Sequence, residues 1–193
     1  MNEIKVAENK TLKLTNVLSR LVRPEELGNL PVILTQMQNF MKSNGAQPIG
    51  PLVQAVKMGT GPDHVPELYM MQQATQMITQ MEPGYHMDAV LRVKNCLYAH
   101  YTGPMSHNQL ATAKLQIMAF ENDIKLTGDN YTIYVNQDDD DAVIDVFMET
   151  KYYDDNHSEP FGSAGPPDHD GQKAAPLRVC FCHSDRSVHD FSG

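Results

Sequence analysis

Tryptophan is missing from this chain, and cysteine occurs three times in 193 residues: Cys96 within a periodic region, Cys180 and Cys182 near the C-terminus. Three cysteines so placed make no disulfide framework, so the fold must rest on a packed core, and a reducing, cytoplasmic setting is expected. Nowhere do about 18 apolar residues follow one another, and Met1-Asn2-Glu3-Ile4-Lys5 opens no signal-peptide stretch. Neither a membrane span nor export is expected. Positive charge is scarce too, with 15 Lys and Arg against 24 Asp and Glu and a formal net charge of -9. A nucleic-acid backbone is neutralised by clustered basic residues, and without a cluster no direct nucleic-acid binding is expected. There is no phosphate-cradling glycine loop and no Ser, His and Asp set in nucleophile-elbow context, so no cofactor is implied. The run Asp138–Asp141 lacks the spaced ligands and internal glycine of a calcium loop. Cys180-Phe181-Cys182-His183 with His189 lacks zinc-finger spacing, so no metal is expected either.

What is present is alternation. In Val143-Ile144-Asp145-Val146-Phe147-Met148-Glu149, Ile144, Val146 and Met148 share one face of a strand, and Asp145 and Phe147 share the other. Val65-Pro66-Glu67-Leu68-Tyr69-Met70-Met71 repeats the arrangement, with Glu67 and Tyr69 opposite Leu68 and Met70. Asp145 follows Glu67 by 78 residues, and Gly128 follows Gly50 by the same distance. The chain thus reads as a duplicated unit, strand-helix-strand-strand twice, of the α+β class. Leu30, Ile33, Leu34, Met37, Phe40 and Met41 recur at helical spacing before Asn44-Gly45. Leu110, Ala113, Ile117, Phe120 and Ile124 form the predicted buried stripe of the second helix. These stripes align best at a spacing of 80, which a longer loop at 43–49 reconciles with 78. Both offsets are even, which assigns Arg20 the strand parity of Tyr98 and His100. Residues 1–10 are polar and set apart as an arm, 11–151 form the domain with halves 11–74 and 89–151, and 152–193 lack periodicity and read as a disordered tail.

Leu97-Tyr98-Ala99-His100-Tyr101-Thr102-Gly103-Pro104, the helix through Phe120, the turn at Gly128 and Ile144-Asp145-Val146-Phe147 together resemble the GyrI-like, or effector-binding, domain family. These are the ligand-binding modules of bacterial multidrug-responsive transcription regulators. The resemblance covers about residues 11 to 151 and implies two modules related by a pseudo-twofold axis. In such a fold helices cover one face of an antiparallel sheet, and the other face forms a cleft for aromatic, often cationic, small molecules. The family's last-strand glutamate is Asp145 here, and Met105 follows Gly103-Pro104 where an aromatic is common. No DNA-binding helix pair precedes residue 11, so a stand-alone module is expected.

The ligand-binding residues so implied are Asp145, Glu67, Tyr69, Tyr98, His100, Tyr134 and Phe147. A carboxylate in an apolar cleft is desolvated, and a bound cation compensates it, while aromatic faces add cation–π attraction. The function expected is a sensor or sequestering protein for a small hydrophobic or cationic aromatic compound. The resemblance also carries a hydrolase of strained electrophilic rings, with Asp145 and Tyr98 as catalytic candidates or His100 as base, and a gyrase-inhibitor-like modulator of a protein partner. It leaves a homodimer open.

Overall fold

The computed structural model describes residues 3–151 and a two-residue strand at 189–190. The predicted tail, 152–193, otherwise lies outside the described residues. The elements run β1 (Glu3–Val22), α1 (Leu30–Ser43), β2 (Pro48–Met58), β3 (Pro66–Ala74), β4 (Tyr85–Gly103), α2 (Gln109–Glu121), β5 (Leu126–Asn136), β6 (Ala142–Thr150) and β7 (His189–Asp190), with short 3-10 turns at Pro24–Asn29 and Met105–His107. Strand, helix, strand, strand thus occurs twice. Residues 3–7, read from sequence as part of an arm, are the start of β1 and pair with 98–102 of β4. Ladder hydrogen bonds hold the segment, and the short alternation of Ile4 and Val6 with Glu3 and Lys5 is the signal that reading 1–10 as polar passed over.

Six strands pair antiparallel in the order β3-β2-β5-β6-β4-β1, and Val17–Val22 of β1 pair back onto Leu68–Gln73 of β3, closing the sheet on itself at that end. Along its other edge β1 pairs with β4 from Glu3 to Arg20, and at Leu12 and Lys13 it also pairs with β7. Both helices lie on the outer face. Helix α1 buries Ile33, Met37 and Met41 against Leu18, Val22, Met70 and Ala74. Helix α2 buries Ala111, Leu115 and Ala119 against Leu97, Ala99, Tyr101, Ile144, Val146 and Met148. The inner face is a second core to which every one of the six strands contributes, including Leu12, Leu14, Val53, Ala55, Met71, Cys96, Tyr131, Ile133 and Phe147.

The duplication holds a single spacing through the helices. Ile33, Met37 and Met41 stand 78 residues before Ala111, Leu115 and Ala119. The helix ends match as well: the Asn44 amide donates to the Phe40 carbonyl at 2.9 Å, and the Asn122 amide to that of Met118 at 2.8 Å. Gly50 and Gly128, at φ 66° and 101°, each sit where the register of their strand shifts. A Cβ on Gly128 would lie 2.5 Å from Met58 Cγ, so glycine is required there on both counts. The spacing of 80 is therefore corrected, and with it the predicted stripe on α2. Leu110, Ile117 and Phe120 are exposed, Phe120 at 88%. The buried face of α2 sets Leu115 between two alanines, Ala111 and Ala119, that let the helix approach the sheet closely, so the larger exposed side chains misled the reading.

Arg20 is corrected for a related reason. Asn16 and Asn95, 79 residues apart, both adopt left-handed φ, 49° and 56°, and each interrupts the alternation of its strand. Leu12 and Leu14 face the inner core, whereas Leu18, of the same parity, faces α1. Arg20 follows Leu18 outward, donating to Gln36 of α1 at 2.5 Å and to Glu26 at 2.8 Å. Among the described residues no helix is long and apolar enough to cross a membrane.

Candidate functional site

Strand registers gather the inner-face residues into rows. One row runs Tyr69 (β3), Ala55 (β2), Tyr131 (β5), Phe147 (β6), Tyr98 (β4). The row beside it runs Ser19 (β1), Met71, Val53, Ile133, Asp145, His100. On the opposite side Glu67 pairs with Lys57. Residues opposite one another on antiparallel strands share a face, so alternation along each strand becomes an aromatic stripe across the sheet. Phe147 and Tyr131 in the middle of the stripe are buried, and the terminal Tyr69 and Tyr98 are half-buried. The Tyr98 and Phe147 rings meet at 4.9 Å and 48°, a tilted geometry favoured by their quadrupoles.

Asp145, 4% exposed, is the centre of the best-defined polar cluster. Its Oδ1 accepts the Tyr98 hydroxyl at 2.8 Å and lies 2.7 Å from His100 Nδ1. An ionised carboxylate only accepts, so Nδ1 carries the hydrogen of that contact and Nε2 is left as the reactive nitrogen of the ring. His100, with 31% of its side chain exposed, is the accessible member. Burial, then the hydrogen bond to Asp145 and its charge, pushes the Tyr98 phenol well above the usual tyrosine range. Tyr98 is thus a donor to Asp145 and a poor source of a proton for anything else at neutral pH.

The other end of the stripe is built from the first half. The Tyr69 hydroxyl donates to Glu67 at 2.8 Å. Burial, the hydrogen bond and the carboxylate charge push Tyr69 up to about 12. Lys57 places its Nζ 5.4 Å from the centre of the Tyr69 ring and 5.9 Å from that of Tyr131. Both are cation–π distances. In the neighbouring row the Ser19 hydroxyl is buried and has no hydrogen-bond partner among the described residues. Such groups are rare because an unmade bond keeps its full desolvation penalty. Ser19→Ala is accordingly expected to leave stability unchanged or raise it by about 1 kcal/mol in urea unfolding; a comparable loss would show that the hydroxyl is bonded.

The structure therefore brings Asp145, Tyr98, His100 and Phe147 together and places Glu67 and Tyr69 on the same face at the stripe's far end. It does not bring Tyr134 there. That side chain lies on the outer face, donates to Gln54 at 2.7 Å and lines a cavity of about 410 Å3 against α2. Tyr131 is the inner-face aromatic of β5. The 78-residue spacing could have found it, since Tyr131 falls on Val53, whereas Lys57 and Ser19 carried no sequence signal. Two further cavities also lie on the helix side, about 680 Å3 beside Arg20 and Tyr85 and about 490 Å3 between α2 and the start of β1. None of these three takes a wall from the inner stripe.

No protein-family model matches the chain, and no curated protein matches it by sequence. Solved structures do match. EcmrR in its DNA complex in EcmrR-RPo is 14% identical with a TM-score of 0.57, over 79% of this chain and 58% of that one. The EcmrR C-terminal domain is 13% identical with a TM-score of 0.55, over 79% of this chain and 99% of that one. SAV2435 bound to tetraphenylphosphonium is 10% identical with a TM-score of 0.47, over 80% and 98%. The chain thus spans little more than half of the first and nearly all of the isolated C-terminal domain. This likeness shows the fold: an antiparallel sheet with two helices, the α+β architecture of the GyrI-like effector-binding domain.

Proposed function

We propose that the protein binds small, flat aromatic compounds on its inner sheet face, as a sensor or sequestering module. The observation that carries this reading is the row Tyr69, Ala55, Tyr131, Phe147 and Tyr98, flanked by the Asp145–His100 pair and by the buried Ser19 hydroxyl, which has no partner among the described residues. A face of this kind combines broad apolar contact with a few fixed polar groups, the composition of small-molecule sites. Its accessible edges are Tyr98 with His100 at one end and Tyr69 at the other, so a ligand enters along the stripe's ends and stacks on half-buried rings. The fold shared with the EcmrR C-terminal domain supports the choice of a binding module.

The neutral fluorophore N-phenyl-1-naphthylamine tests it. Saturable binding is expected in the wild type, weakened at least about fivefold in Tyr98→Ala, which removes a stacking ring, and in Asp145→Ala, which frees His100 and Tyr98 from their anchor. Equal affinity in all three proteins would remove the inner face from the site.

A second reading, hydrolysis of electrophilic rings, is favoured by one contact. Asp145 holds His100 by Nδ1, the arrangement in which a carboxylate orients an imidazole as general base. In that version His100 takes the water's proton and Asp145 positions it, because Asp145 is itself buried and already accepts two hydrogen bonds. Turnover of an activated cyclopropane that disappears in His100→Gln with dye binding retained would promote it over simple binding.

A further inference from the structure

The inner face answers the question of ligand charge in an unexpected way. Its cation-attracting groups are engaged by the chain itself. Asp145 accepts from Tyr98 and His100, and Glu67 accepts from Tyr69 while standing opposite Lys57 across the β2–β3 ladder. The Lys57 ammonium occupies the position over the Tyr69 and Tyr131 rings that an organic cation would take.

We infer that Lys57 is a built-in occupant of the aromatic site and makes the inner face select flat aromatic acids over aromatic cations. The inference rests on the binding reading above. A cationic ligand must displace Lys57 from two ring faces and leave two like charges together in a half-buried place. An aromatic carboxylate that stacks on Tyr69 meets the Lys57 ammonium already over that ring and pairs with it without displacing it.

The test uses two probes with one skeleton and opposite charge, 2-naphthoate and 2-naphthylmethylammonium, titrated by fluorescence into the full chain. The wild type is expected to favour the carboxylate by about tenfold, the scale of one charge contact at a partly buried aromatic site. Lys57→Met should abolish that preference, weakening the acid and strengthening the amine, while Lys57→Arg keeps it. Near-UV circular dichroism verifies that both variants keep their packing. A preference for the amine in the wild type, or a ratio unchanged in Lys57→Met, would overturn the inference and leave the inner face as the binding site. Binding of both probes that ignores Tyr69→Ala and Tyr98→Ala would place them elsewhere and overturn both readings.

Discussion

Alkaline titration above about pH 10 is expected to unfold the protein in a single step, because several of its acids are held neutral by the fold. Burial, helped by the nearby Glu149 carboxylate, pushes the Cys96 thiol up to about 12. Burial raises Tyr131 as well, with Asp129 and Glu149 adding to it, and Tyr98 follows for the reasons given above. In the unfolded chain these groups ionise near their ordinary values, about 8.5 for cysteine and about 10 for tyrosine. Below those values both states are protonated and nothing changes. Above them the unfolded state loses protons that the native state keeps, so stability falls as pH rises, by about 1.4 kcal/mol per pH unit for each fully retained proton. Cys96 and Tyr131, both deeply buried, together remove about 5 kcal/mol by about pH 11, comparable with the whole stability of a small domain. The half-buried Tyr69 and Tyr98 add less, because solvent screens them. Tyrosinate absorbance and far-ultraviolet circular dichroism should therefore change together. Tyrosines that titrate gradually near their ordinary value with the dichroism intact would show that the inner face is open to water.

The second large effect separates the two faces of α2. Leu115 is fully buried beneath the helix, so Leu115→Ala is expected to cost about 2–5 kcal/mol in urea unfolding. Phe120, the largest apolar residue of the helix, should tolerate Phe120→Ser within about 0.5 kcal/mol, because its ring is already in water. Hydrophobic periodicity alone reverses this order. The reversal would restore the stripe of Leu110, Ile117 and Phe120 and return the second half to a spacing of 80.

That helix shows where the sequence was legible and where it was not. The duplication, the two helices, the face shared by Asp145 and Phe147 and the matching face of Glu67 and Tyr69 could all be read from residue order. Helix α2 could not be oriented, since Ala111 and Ala119 are buried by closeness of approach and not by their own apolar bulk. Arg20 and Tyr134 were assigned to the inner face by parity and by chemical type. One is carried outward beyond the left-handed Asn16 and the other follows Ile133 to the opposite side of β5.

Side-chain alternation is a local property with a period of two, so residue order by itself determined which residues of β3 and β6 travel together, the acids with the aromatics on one face and the aliphatics on the other. What those groups meet was decided by strands distant in the chain. The registers of β1 to β6 put Lys57 over Tyr69 and Tyr131, joined His100 and Tyr98 to Asp145, and left the Ser19 hydroxyl buried without a partner among the described residues. Such contacts depend on through-space distances of a few ångströms between residues tens of positions apart, and only the closed sheet sets them.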